Sequence, residues 1–406
     1  MLFYHSLNNG LRIVHLQTAS KVAYCGFAVN AGSRDEQHDE HGFAHFVEHS
    51  LFKGTAKRKS WHIINRMENV GGELNAYTSK EETLVYCIFM EQDFNRAAEL
   101  LSDLVINSQF PENELAKERE VIIEEIQSYE DNPSELIYDD FENMLFEGHA
   151  LGHHILGNKK SLKSFTSTSG RSFLEHYYTS DNMIFFSVSS TDSKTVRRTA
   201  EKYFSDIPKS HSLTKREIPK ESLPPFQSIK KRKTHLSHVI IGNRACNMYE
   251  EKKYPLLLLN NILGGPGMNS RLNISLREKR GLVYTIESNI TSYTDTGVFC
   301  IYFGIDHKNC EQAIEIVNKE LYNICNKKLT ETQLNRAKKQ AIGQTGVATD
   351  NKESMSLGLG KAFLHFNRYQ LPEETFRKIK AITSQQIIEI ANEILIPDKL
   401  SLLIFE

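Results

Sequence analysis

Two hydrophobic periods alternate along this chain. Short β-rich apolar runs (GLRIVHL, VAYCGFAVNAG, GELNAYTS, ETLVYCIFM, MIFFSVSS) predict strands. FNRAAELLSDLVI, the long ENELAKEREVIIEEIQSYE and KTVRRTAEKYFSDI space their apolar residues at helical intervals. Mixed throughout, the two periods predict an α+β or α/β chain. The opening MLFYHSLNNGLRIVHL reads as strand, Asn-Gly turn, strand, so folded structure is expected almost from Met1. It lacks the basic start, apolar core and small-residue cleavage site of a signal peptide.

Residues 207–234 break the pattern: they are polar and basic, and hold Pro208, Pro219, Pro224 and Pro225 of the chain's 10 prolines. We read 206–234 as a linker between domains at 1–205 and 235–406. After it the order of elements returns: HVIIGNRAC is strand-like, YPLLLLNNILGG and SRLNISLREKRG helical, LVYTIESNITSY and TGVFCIYFG strand-like, NCEQAIEIVNKELYNI helical. TETQLNRAKKQAIGQTGVATDNKES then aligns without gaps on PENELAKEREVIIEEIQSYEDNPSE. Glu331 falls on Glu112, Leu334 on Leu115, and Asp350-Asn351 on Asp131-Asn132, at a constant offset of 219. An internal duplication explains the shared register.

With 406 residues the chain is long for one core, which agrees with two domains. A net charge of −2 argues against a bulk electrostatic nucleic-acid binder, and no apolar run reaches the length of a membrane span. Cys25, Cys87, Cys246, Cys300, Cys310 and Cys325 form no CxxC pair, and four lie in strand-like apolar runs. Buried free thiols and a reducing, cytoplasmic compartment are the expectation.

The chemistry concentrates in HGFAHFVEHSLFKGT, residues 41–55. On a helix His45 and His49 share a face and could close on one cation, with Glu48 beside them. Imidazole nitrogen suits zinc, whose catalytic sites take three protein ligands and a water. ENELAKEREVIIEEIQSYE offers the third: Leu115, Glu118, Ile122, Glu125 and Tyr129 follow a 3-4-3-4 spacing that reads as one inward stripe. A buried carboxylate needs a partner. Glu118 and Glu125 stand about 10 Å apart along the axis, so one is a ligand and the other supports a ligand or contacts substrate.

His45-x-x-Glu48-His49 is the inverted zinc-protease pattern. With NNGLRIV, AGSRDE, HFVEHSLFKGT, GGELNAYTSKEET, EREVIIEEI, LGHHILG and SRLNISLREKRGLVY, the chain resembles the insulinase/pitrilysin family of zinc peptidases. It is most similar to short members akin to mitochondrial processing peptidase and its bacterial relatives. The resemblance implies two homologous domains, each a mostly antiparallel sheet packed with helices, and a zinc cofactor held by His45, His49 and Glu125. It makes Glu48 the general base, Glu118 an auxiliary glutamate, and Arg277 and Tyr284 a pair addressing the oxyanion and substrate backbone. GELNAYTS becomes an edge strand near the zinc, where substrate adds as an extra strand against Asn75 and Ala76. Longer members carry four such domains, so a two-domain chain is expected to dimerise, with itself or with a related subunit, into an equivalent clamshell chamber.

The chemistry fits this reaction without the family. Zinc acidifies water and polarises a carbonyl, and Glu48 can move the proton to the leaving amine. The function read here is zinc-dependent endopeptidase; the rival is a non-catalytic scaffold or partner subunit on the same fold. In the second half Gln344 replaces Glu125, Ala337 replaces Glu118, and YPLLLLNNILGG has no histidine, so a second zinc site is not expected. GGPGMNS lacks the Lys-Ser/Thr ending of a phosphate loop. His149, His153 and His154 read as loop histidines without carboxylates, and KKRK at 230–233 as a solvated charge run.

Overall fold

A computed structural model describes residues 1–209, 215–220 and 223–406. The first sheet uses β1 (Leu2–Ser6), β2 (Arg12–Gln17), β3 (Val22–Val29), β4 (Glu73–Thr78), β5 (Thr83–Met90) and β6 (Met183–Ser189), in the order β1-β2-β6-β3-β5-β4. The second uses β7 (Gln227–Lys230), β8 (Ser237–Ala245), β9 (Val283–Ser292), β10 (Gly297–Ile305) and β11 (Ser401–Phe405), in the order β7-β11-β8-β10-β9. Strike out β1 and the two orders are the same, strand for strand. The parallel pair also recurs, β2 with β6 and β7 with β11, while every other pairing is antiparallel. The duplication seen as a 219-residue offset is thus a repeat of topology.

Helices α1 (Phe43–Leu51), α2 (Ser60–Glu68), α3 (Phe94–Asn107), α4 (Glu112–Glu130), α5 (Pro133–Leu145), α6 (Ser167–Tyr177) and α7 (Ser193–Phe204) belong to the first half. The second half carries α8 (Lys253–Gly264), α9 (Cys310–Asn326), α10 (Glu331–Ala348), α11 (Lys352–Phe366), α12 (Pro372–Ala381) and α13 (Ser384–Ile394). SRLNISLREKRG folds mainly as a wide π-helical turn, Asn273–Glu278.

The chain forms two compact units that are not its two contiguous halves. One comprises Met1–Gln127, His153–Arg216 and Asp350–Tyr369; the other Ser128–Gly152, Glu217–Thr349 and Gln370–Glu406. Equivalent helices have been exchanged, since α5 and α11 begin at positions 133 and 352, again 219 apart. In the first unit Leu359, Phe363 and Leu364 of α11 cover Val14, Ala28, Ile184, Phe186 and Val188 on one sheet face. The opposite face packs on α1, α3 and α4 through Phe46, Val47, Leu101, Leu104 and Ile122. A sheet covered on both sides explains why MIFFSVS is apolar without alternation: every residue of β6 is buried. In the second unit α5 plays the part of α11, with Leu136, Ile137 and Phe141 against Tyr302, Leu403 and Phe405.

The polar stretch 206–234 is only partly a spacer. Residues 227–230 form β7, and Arg216 makes a two-pronged bond to Asp35 at 2.9 and 2.8 Å. Linker residues 210–214 and 221–222 lie outside the described residues. All six cysteines are buried free thiols, as expected. No helix among the described residues is long and apolar enough to cross a membrane.

Candidate metal centre

α1 is buried almost all round. Phe43, Ala44, Phe46, Val47 and Leu51 fill the core, which leaves His45, Glu48 and His49 for the remaining face. The rings of His45 and His49 lie with centroids 4.5 Å apart. α4 faces them, although its stripe departs from the sequence reading. The buried residues are Leu115, Glu118, Ile122 and Ile126; Glu125 is 44% exposed, and Tyr129 is half-buried on Asp139 instead. At 100° per residue Glu125 lies roughly 80° round the helix from Leu115, on the wet edge of the stripe.

From that edge Glu125 Oε2 reaches within 3.8 Å of His45 Nε2 and 3.7 Å of His49 Nε2. One donor atom from each of the three residues lies within 4.8 Å of the others, and among the described residues this is the one group so arranged. Those separations are too long for hydrogen bonds, but near the roughly 3.3–3.5 Å edge of a tetrahedron drawn with zinc–ligand bonds. Burial, helped by the neighbouring His49, drives His45 down to about 3, so its imidazole is neutral, the form a metal needs. The residues fit a zinc ion of N,N,O coordination.

Glu118 does not join that triangle. Its Oε2 accepts from His49 Nδ1 at 3.1 Å and its Oε1 from Lys53 Nζ at 2.6 Å. Burial alone would raise its carboxyl, but the His49 and Lys53 bonds outweigh it and the pKa is lowered. Burial likewise opposes charge on His49, yet the Glu118 bond and the nearby carboxylates raise its pKa. A carboxylate bonded to Nδ1 fixes the ring and leaves Nε2 free, the arrangement found behind metal-bound histidines. Glu48, 8% exposed, accepts the Thr78 hydroxyl at 2.8 Å; burial raises its carboxyl, while Thr78 and His49 pull the other way. Lys53 and Thr78 were missed by sequence reasoning. Each acts through a single long-range bond that no local spacing announces.

Asn75 and Ala76 lie mid-strand in β4, which among the described residues pairs with β5 alone and is an edge of the sheet. Arg277 and Tyr284 belong to the other compact unit. There the guanidinium lies 5.7 Å from the Tyr284 ring centre, and the phenol is 85% exposed on the edge strand β9. The pair lines a cavity of about 340 Å³ with Asn273 and Glu287. Gln344, standing where the repeat would put Glu125, accepts from Asn261 on α8 at 2.5 Å: a neutral amide pair where the first half has histidine and carboxylate. His153 corrects the sequence reading, because its Nε2 lies 3.1 Å from Glu36 Oε2. That carboxylate is distant in sequence, so the histidine cluster looked unpartnered.

Two family descriptions match the chain: "Insulinase (Peptidase family M16)" over residues 12–159 and "Peptidase M16 inactive domain" over 164–341. An uncharacterized zinc protease of Bacillus subtilis, YmxG, is 32% identical over 403 residues, covering 98% of this chain and 97% of its own. The beta subunit of the Saccharomyces cerevisiae mitochondrial-processing peptidase is 30% identical, covering 95% of this chain and 87% of its own. The crystal structure of a protease from Helicobacter pylori shares the fold with a TM-score of 0.93 at 20% identity, over 100% of this chain and 99% of that one. By sequence over 98% of its length, the chain belongs to the insulinase family of zinc proteases, M16.

Proposed function

We propose that this protein is a zinc-dependent endopeptidase that hydrolyses peptides or unfolded polypeptide segments. The observation that supports the reading is the convergence of His45, His49 and Glu125 donor atoms within 4.8 Å, with the buried Glu48 beside them. His45, His49 and Glu125 would hold the ion. Zinc there supplies a Lewis acid for the scissile carbonyl and acidifies the attacking water. Glu48, aimed by the Thr78 hydroxyl, takes the water's proton and hands it to the leaving amine. Glu118 steadies His49 through Nδ1. Asn75 and Ala76, on the open edge of β4, offer main-chain groups to a substrate that adds as a further strand, a mode that reads backbone more than side chain. Arg277 and Tyr284 would serve the oxyanion and the substrate backbone. Two copies, or one copy and a related subunit, would enclose the chamber.

Glu48→Gln tests this directly. The ligands stay and the base goes, so the variant should keep its fold and zinc while peptide cleavage falls by about 10²–10⁴-fold. Near-normal turnover by the purified variant would overturn the assignment. A wild-type protein that holds zinc but cleaves no peptide in a fluorogenic library would favour the scaffold reading.

A further inference from the structure

α1 has no cap of its own. Its N-cap is Gly42 at φ 95°, and a Cβ there would sit 2.7 Å from Leu156 O and 2.9 Å from Gly157 Cα. Both the backbone angle and the close approach demand glycine. Glycine has no side chain to accept the free N–H groups of a first turn. Glu36, six residues upstream, supplies the acceptor: Oε2 takes the Gly42 N–H at 2.9 Å and Oε1 the Ala44 N–H at 2.8 Å. The side chain of Glu36 is fully buried, and its third contact is His153 Nε2 at 3.1 Å. His153 is fixed in turn: its ring stacks on His41 with centroids 3.9 Å apart and planes 3° apart, and its carbonyl accepts the Lys80 ammonium. Ser161 bonds the carbonyl of His41, tying the same loop to the helix entry.

This cluster is outside the metal triangle, but the turn it holds is the one that carries His45. Ala44, bonded to Glu36, immediately precedes it. The later part of α1 is anchored independently by Phe46, Val47 and Leu51 in the core. Loss of the remote cap would therefore leave His49 in place and loosen the turn that sets His45.

We propose that Glu36, held by His153, is a positioning residue for the metal centre, fixing the first turn of α1 so that His45 meets Glu125 and His49 at ligating distance. The proposal rests on the zinc reading above and adds to it a pair of residues that touch neither metal nor substrate.

Three variants test it: Glu36→Ala removes both acceptors, Glu36→Gln keeps one, and His153→Phe keeps a ring on His41 but removes the Nε2 contact with Glu36. Zinc affinity is measured by competition with a chromophoric chelator, metal geometry by the visible spectrum of the cobalt-substituted protein, and fold by thermal unfolding of the metal-free protein. Outer-shell partners are worth about 10–100-fold in metal affinity. Glu36→Ala should lose that much and shift the cobalt bands, with Glu36→Gln and His153→Phe in between. A lowered unfolding temperature with unchanged zinc affinity and cobalt spectrum would overturn the proposal, because the cluster would then be structural only. Should Glu36→Ala fail to fold, unchanged affinity and spectrum in the other two would overturn it equally. A Glu125→Ala control separates this failure from that of the zinc reading. If wild type binds zinc and the control does not, the metal site stands whatever Glu36 does; if wild type takes up no zinc, both fall.

Discussion

Glu118 gives one oxygen to Lys53 and the other to His49, whereas Glu125, two turns along the same helix, is 44% exposed and has both histidines within 3.8 Å. The two carboxylates are chemically identical, and position on the helix separates their roles. Glu118 lies on the buried stripe with a cation beside it, so its charge is already compensated; Glu125 lies at the wet rim, facing both histidines. Removing Glu125 should accordingly abolish tight zinc retention, since two imidazoles alone leave the site a ligand short. Gln344→Ala, at the corresponding place of the second half, should leave zinc content unchanged at one ion per chain. Elemental analysis of the two purified variants checks this, and two tightly held zinc ions per wild-type chain would contradict it.

At the scale of elements, α11 decides most. It is encoded in the second half, yet it covers one face of the first sheet and ties down the turn after β4. Glu82, in that turn, accepts from His365 at 2.7 Å and pairs with Lys361 at 2.5 Å. Burial raises the Glu82 carboxyl, but His365 and Lys361 outweigh it and bring the pKa down to about 2. The folded value lies below the ordinary 4.5, so this stabilisation is fully present above about pH 4.5 and is lost as pH falls towards 2. It should amount to on the order of 2–3 kcal/mol. Denaturant unfolding between pH 5 and 2 should show the wild type losing stability more steeply than His365→Gln; parallel slopes would refute the link. Packing gives a second test on the same helix. A Cβ on Gly360 would lie 2.7 Å from Cδ1 of the fully buried Phe186, while one on Gly358 would meet nothing within 4 Å. Overpacking costs about 1–3 kcal/mol, and alanine gains about 1 kcal/mol over glycine in a helix. Gly360→Ala should therefore lower the unfolding temperature and Gly358→Ala raise it, and the same sign for both would show that the contact with β6 is soft.

For the whole molecule the open question is where the Arg277–Tyr284 pair acts. On the reading proposed above, two copies enclose the substrate, so we expect a dimer in which the pair of one copy serves the candidate metal centre of the other. Mixing two inactive variants, Glu48→Gln and Tyr284→Phe, tests it. In a mixed dimer acting in trans, one site receives both lesions and the other neither. Random exchange makes about half the dimers mixed, each with one intact site, so activity should return to about a quarter of wild type. If the pair serves its own chain, every site keeps a lesion and nothing returns. No recovery despite confirmed subunit exchange, or an active enzyme that is purely monomeric, would rule out action in trans.

The chain's local chemistry was legible without coordinates. The 3.6 and 2.0 periods announced the helices and strands, the 219-residue offset announced the duplication, and the His45–His49 spacing announced that the two rings share a helix face, because each signal is carried by residues close in sequence or in a fixed register. What sequence could not show is whatever depends on which distant segment arrives beside which. The 3-4-3-4 reading carried the buried stripe of α4 past Ile122 to Glu125, whereas the helix turns the burial to Ile126. Contiguous halves were the natural reading of a repeat, and only three-dimensional packing exchanges α5 and α11, since an amphipathic helix specifies that it needs an apolar face but not whose. Lys53, Thr78, Glu36 and His153 were invisible for the same reason. Lys53 meets Glu118, Thr78 meets Glu48 and His153 meets Glu36 across tens of residues, and such pairings exist only once the backbone has set the distance.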